Sequence, residues 1–203
     1  INYDMVQTEM SKIGKARNVS VENFGKINVF NEYFGRGLSS IVFQEIRESK
    51  SLAYSAYVSY IANSELNHPD YVTTYLGTQA NKLAEAVHTM NNLMAHLPQI
   101  PAQFENAKNS ALKQIASQRI TRTNIFFNHL NLKKLGIDDD FRKDVYKEIE
   151  KLSLKELTEF YDAEVKPLKF NSAIIGKKEN LDMKAVSKLG SFHELTLDEI
   201  FGY

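Results

Sequence analysis

The chain has 203 residues, the size of one ordinary domain, with 25 Lys and Arg against 25 Asp and Glu and no cysteine. The missing cysteines exclude a disulfide framework, a thiolate zinc knot, an iron–sulfur cluster and a cysteine nucleophile. Zero net charge argues against an electrostatic nucleic-acid or anionic-membrane binder, and no stretch approaches the roughly 18 apolar residues of a membrane span.

Residues alternate in polarity from Ile1 to about Gly14, which predicts a strand. Phe24, Ile27, Val29, Phe30 and Phe34 recur at helical spacing and predict a helix over 20–34, with Ser20 as its N-cap. Gly35-Arg36-Gly37 breaks it, and Ser39 or Ser40 caps a second helix with Ile41, Val42, Phe43 and Ile46 inward. Two runs rich in Tyr, Val, Ala and Thr, Leu52–Ile61 and Tyr71–Gly77, suit pleated strands. The polar stretch Asn63–Asp70 between them predicts an antiparallel hairpin.

From residue 81 the period becomes helical. Leu83, Val87, Met90, Met94 and Leu97 mark one helix, and Phe104, Ala107, Ala111 and Ile115 mark a second that begins near Pro101. A third is expected from Thr123 through Phe126, Phe127 and Leu130 to Gly136. Ser153-Leu154-Lys155-Glu156 forms a capping box ahead of Leu157, Phe160, Tyr161 and Val165. Phe170–Ile175 reads as a short strand, 182–189 as a helix, and Phe192–Leu195 as a small final strand. Adjacent strands plus helices in runs predict an α+β fold: an antiparallel-rich sheet with helices packed on one face, undivided by any linker.

Chemistry is sparse. The five histidines, His68, His88, His96, His129 and His193, contain no H-x-x-E-H or H-E-x-x-H spacing. Two Glu-x-x-His pairs, Glu65 with His68 and Glu85 with His88, do not make a carboxylate di-metal site, since the first lies in a turn with Pro69. Gly35-Arg36-Gly37 lacks the third glycine and the lysine of a phosphate loop and reads as a corner between helices. Ser39 and Ser40 have no histidine nearby in sequence, and Lys133-Lys134 and Lys177-Lys178 read as solvated surface.

The most informative stretch is Gln44-Glu45-Ile46-Arg47-Glu48 followed by Leu52-Ala53-Tyr54-Ser55. Arg47 ends a helix and Tyr54 begins a strand, so one short turn brings both toward one end of the sheet. A guanidinium fork and a phenol hydroxyl are suitable donors to backbone carbonyls or an oxyanion. Pairing of Arg47 with Glu45 or Glu48 and sheet packing of Tyr54 are the plainer alternatives.

With Asn31–Ser40 added, this stretch resembles the carboxyl-terminal, non-catalytic half-domain of bacterial M16 (insulinase/pitrilysin-like) zinc metallopeptidases. Met5–Glu9, the strand near Ile174-Ile175-Gly176 and the ending Leu195–Tyr203 are similar to the family as well. Ser51 departs from it, standing where glycine is common. The resemblance implies one inactive-type domain over 1–203, of the M16/LuxS-like metallohydrolase fold, taken from the C-terminal end of a longer chain; the absent initiator Met agrees with that expectation. It implies no cofactor in this chain, with zinc held by the catalytic M16 half-domain, in the same chain or a partner subunit. It implies that Tyr54 donates to the scissile carbonyl as it becomes an oxyanion, and that Arg47 holds the backbone of a peptide substrate. No nucleic acid is expected as a partner. Loss of all catalytic function, leaving a structural or assembly module, is the alternative. The compartment stays open, the composition being compatible with the bacterial envelope and with the cytoplasm.

Overall fold

The alternation that predicts a first strand persists beyond Gly14, and the strand forms in its later part. In the computed structural model, which describes residues 1–202, β1 runs Thr8–Asn18. Its inward positions are Thr8, Met10, Lys12, Gly14 and Ala16, with Ser11, Ile13, Lys15 and Arg17 exposed. Lysine and glycine at inward positions hide the period from a hydropathy reading. Ile1–Tyr3 lies instead beside the last strand: the Ile1 ammonium donates to Ile174 O at 2.9 Å and Tyr3 N to Gly176 O at 3.0 Å.

The expected hairpin forms from β2, Ser55–Ile61, and β3, Pro69–Thr78, in antiparallel register. Buried Asp70 holds its turn by accepting from Asn63 N at 2.8 Å. β4, Phe170–Ile175, pairs antiparallel with β1, giving the sheet order β2-β3-β1-β4. One face turns Met10, Ala56, Val58, Tyr60, Val72 and Leu76 into the core. The other carries Tyr57 stacked on Tyr75 at 5.2 Å, with Ile13 and Ile61 exposed.

The helix expected over 20–34 combines three geometries. A 3-10 turn, Val21–Asn23, leads into α1, Phe24–Phe30, which widens into a π turn, Asn31–Gly35. Ser20 is extended but its side chain makes no cap bond. Phe30, Tyr33 and Phe34 are fully buried, and the Phe30 and Phe34 rings each lie 6.0 Å from Tyr161. Such aromatic pairs add roughly 0.5–1.5 kcal/mol beyond the area they bury. The Tyr161 hydroxyl donates to Met94 O and the Tyr33 hydroxyl to Pro98 O at 2.6 Å, so neither is an orphan donor. The Asn31 carboxamide pairs with both backbone groups of Tyr60, accepting at 2.8 Å and donating at 3.0 Å, and so occupies part of the β2 edge.

α2, Ile41–Phe43, is capped by Ser40, whose Oγ accepts from Phe43 N at 3.4 Å, and continues as a π turn over Gln44–Ser49. After β3 come α3, Leu83–Ala95; α4, Pro101–Ser117; and α5, Arg122–Lys134. Thr121 precedes α5, in place of the expected Thr123, and its carbonyl accepts from Ile125 N. Leu132 is the buried residue of α5, while Ile125, Phe126, Phe127 and Leu130 stay exposed among the described residues.

α6, Arg142–Lys151, is a helix that the period did not predict, because only Val145 and Ile149 are buried in an otherwise charged run. α7, Leu154–Glu164, begins at Ser153 with the complete capping box to Glu156. α8, Met183–Ser187, is capped by Asp182. Phe192–Leu195 forms no strand. Thr196 and Glu199 make a second capping box and start α9, Leu197–Phe201. Tyr203, the last residue of the family-like ending, lies outside the described residues.

α6 also supplies a partner for α1. Glu148 Oε2 accepts from Gly25 N at 3.2 Å, while Oε1 is buried without a hydrogen bond. Burial pushes the Glu148 carboxyl above its usual 4.5, opposed by the Gly25 N–H and the nearby Lys26 ammonium. The folded chain therefore keeps this proton to higher pH than the unfolded chain does. The contribution is fully present below the unfolded pKa and is lost as pH rises through the folded one. Glu148→Gln, which keeps the acceptor for Gly25, is expected to flatten the fall in the urea midpoint as pH rises above the ordinary carboxyl value of 4.5. An unchanged slope would mean that Glu148 is not the group responsible.

Candidate functional site

Arg47 and Tyr54 are brought to one place by the turn between α2 and β2. The helix that carries Arg47 ends in π geometry, a distortion often found at functional sites. Ser51 N then donates to Arg47 O at 3.1 Å and Leu52 N to Ile46 O at 2.9 Å, closing the turn. Ser51 sits at φ +50°, a left-handed conformation that explains why glycine suits this position. For a residue with a Cβ that conformation costs about 1–2 kcal/mol. The Lys82 ammonium holds the strained residue from outside, donating to Ser51 O at 3.0 Å.

Tyr54 N donates to Gly77 O at 2.8 Å, docking the start of β2 against the end of β3. Arg47 and Tyr54 then line one open cleft of about 360 Å³ with Glu48, Ser51, Leu52, Ala53, Gln79 and Lys82. The Tyr54 side chain is far from buried, at 57% exposure. Its hydroxyl accepts from Gln79 Nε2 at 3.0 Å, which leaves the O–H proton for another acceptor. The Arg47 guanidinium stands 4.8 Å from the centre of the Phe43 ring, with Nε 3.7 Å from Glu48 Oε1. Both partners of that ion pair are about half exposed, so it is a weak restraint on an arginine that keeps donors free. Of the two plainer alternatives, the one for Arg47 holds, since it meets Glu48, and the one for Tyr54 does not, since its side chain is not packed into the sheet. The arrangement can present a guanidinium and a phenol O–H to carbonyl or oxyanion oxygens.

Gln79 and Lys82 carry no motif, and sequence reasoning missed them. Strand register brings them in: Ser55 faces Gly77, so the chain just past β3 lies beside Ala53 and Tyr54.

The other candidates find ordinary partners. Glu65 meets His68 at 3.8 Å but is bound more closely by Lys134, at 2.6 Å, which holds its carboxyl below the usual range. His88 Nε2 lies 3.1 Å from Asn92 Nδ2. Among the described residues no group of three or more His, Cys, Asp or Glu could hold a metal ion. A zinc ion thus has no fitting donor set within the described part of this chain. Gly35-Arg36-Gly37 forms the expected corner, with Gly37 at φ +84°. Ser40 is buried and donates to Gly37 O at 2.9 Å, Lys133 pairs with Asp138, and Lys178 with Glu194. A larger cleft of about 650 Å³ lies between α1, α4 and α6, but its Arg36 is bound to Ser59 and its Arg142 to Asp140.

Residues 5–111 match the family described as the peptidase M16 inactive domain, more than half of the chain, and the chain belongs to that family. Over 97 residues it is 35% identical to the uncharacterized zinc protease YmxG of Bacillus subtilis (strain 168), a stretch covering 46% of this chain and 23% of that protein. The crystal structure of a peptidase M16 inactive domain from Pseudomonas fluorescens is similar with a TM-score of 0.69 at 13% identity, over 87% of this chain and 42% of that one. An inactive peptidase domain from Bordetella parapertussis gives 0.69 at 10% identity, over 86% and 92%. A protease from Helicobacter pylori gives 0.67 at 14%, over 87% and 42%. At these identities the structural likeness is one of fold. The chain spans about a quarter of its curated relative and less than half of the Pseudomonas and Helicobacter chains.

Proposed function

We propose that this chain is the substrate-clamping half-domain of a zinc-dependent metalloendopeptidase that degrades peptides. It works with a catalytic M16 half-domain, in the same longer chain or in a partner subunit, and zinc belongs to that other half. In this reading Arg47 holds the peptide backbone, and the Tyr54 hydroxyl donates to the scissile carbonyl as negative charge develops on it. The observation that carries the proposal is that Arg47 and Tyr54 line one solvent-open cleft, with the phenol proton uncommitted. A purely structural module of the same fold would have no need of that pairing.

The test has two arms. The purified chain, given zinc and a fluorogenic peptide, is expected to leave the peptide intact, because its histidines lack any zinc-ligand spacing. Zinc-dependent cleavage that survives removal of contaminating peptidases would overturn this. In the complete peptidase, Arg47→Ala is expected to raise KM by about one to two orders of magnitude, since one charge-assisted hydrogen bond to bound substrate is worth roughly 1.5–3 kcal/mol. Unchanged kinetics would favour the structural module.

A further inference from the structure

The Tyr54 phenol is gripped from one side. Gln79 follows β3 directly and is anchored at its carbonyl, which accepts from Lys82 N at 2.9 Å. The preceding Thr78 Oγ1 donates to Leu52 O, joining this segment to the strand entry that carries Tyr54. Gln79 therefore starts from a fixed point, and its side chain reaches the phenol, donating from Nε2 to Tyr54 Oη at 3.0 Å.

A phenol has one proton to give and lone pairs to receive. With a lone pair occupied by an amide N–H, the O–H is left to point elsewhere, and polarisation along the chain N–H→O–H makes it a stronger donor. We propose that Gln79 is a positioning residue for Tyr54: it fixes the direction of the phenol and makes the hydroxyl a donor to the substrate oxygen. The inference rests on the reading of Tyr54 as an oxyanion donor. An amide turned over would present Oε1 and draw the phenol proton to itself. A substrate oxygen arriving at Tyr54 selects the orientation seen here, because only then does the relay run unbroken from amide to substrate.

The experiment compares Gln79→Glu, Gln79→Leu, Tyr54→Phe and the double variant Gln79→Glu/Tyr54→Phe in the complete peptidase. At neutral pH the new carboxylate can only accept, so it captures the Tyr54 proton. Gln79→Glu is expected to lower kcat about tenfold at nearly constant KM, the worth of one hydrogen bond made in the transition state. Activity is expected to recover as pH falls and the carboxyl protonates, giving an acid-shifted profile absent from Gln79→Leu. Gln79→Leu is expected to lose only severalfold. In the Tyr54→Phe background the Glu substitution is expected to cost nothing further.

If Tyr54→Phe lowers kcat while both Gln79 variants match the wild type, the Gln79 role fails and the Tyr54 reading stands. An equal Gln79→Glu loss in both backgrounds also overturns it. If Tyr54→Phe itself has no effect, the reading of Tyr54 fails first. A second readout needs no catalysis. In the chain labelled at tyrosine Cζ, the NMR resonance lost in Tyr54→Phe is expected to move in Gln79→Leu, and an unmoved resonance overturns the contact. Gln79 is exposed, so these variants are expected to fold.

Discussion

Tyr54→Phe is expected to lower kcat of the complete peptidase roughly 10²-fold and to leave KM within about twofold. The substitution removes one hydroxyl and keeps the ring. The hydroxyl's proton is a free donor in the cleft, since its oxygen already accepts from Gln79. A donor aimed at a carbonyl that becomes an oxyanion strengthens its bond as charge builds, so its loss falls on the transition state and not on substrate binding. Stability offers no competing explanation. The ring is more than half exposed, and the Gln79 amide, also exposed, returns to water without becoming a buried orphan. Steady-state kinetics with a thermal midpoint beside them decide the matter. A loss expressed as raised KM would make Tyr54 a substrate contact only.

Gly35→Ala is expected to destabilise the chain by about 3 kcal/mol, near the upper end of what overpacking usually costs. Gly35 ends the π turn behind α1 and lies directly against β2. A Cβ there would stand 2.0 Å from Val58 O and 2.8 Å from Val58 C. Both atoms are backbone, so no rotamer change relieves the clash. Val58 is fully buried and pairs with Thr74 in the β2–β3 ladder. Relief therefore requires either moving β2 or lifting the helix that buries Phe30, Tyr33 and Phe34. Gly37→Ala, two residues on, is the control. It has open space but φ +84°, so its cost is the left-handed strain alone, about 1–2 kcal/mol. Urea unfolding of both variants separates the two mechanisms. Gly35→Ala no worse than Gly37→Ala would show that the helix and β2 can part without loss.

Two glycines of one corner, read together in the sequence as the break between two helices, thus have different tasks. Gly37 supplies a backbone angle, which the sequence context of a helix–helix corner makes legible. Gly35 supplies room for a strand more than twenty residues away, which no local pattern records. The helices follow the same division. The capping box at Ser153 is a local signal and formed as read, and the stripe of α3 did so through Met94, the helix ending at Ala95 before Leu97. α6 was missed because two buried residues in ten make too narrow a stripe, although its Glu148 holds the first turn of α1. The strand expected at Phe192–Leu195 gave way to a capping box at Thr196 whose Thr-x-x-Glu signature was present in the chain.

The amino-acid sequence by itself determined the α+β class, the hairpin, most helices and the stretch from Asn31 to Ser55 that marks the M16 inactive domain. Those features rest on neighbours in the chain: periodicity, caps, β-branched runs and turn residues. Only the tertiary structure decided that Gln79 and Lys82 join Arg47 and Tyr54 in one cleft, that β1 starts at Thr8, and that Gly35 must lack a side chain. Each of these depends on strand register or on the approach of two elements far apart in sequence. Residues at such distances meet only when the whole sheet and its helices are in place.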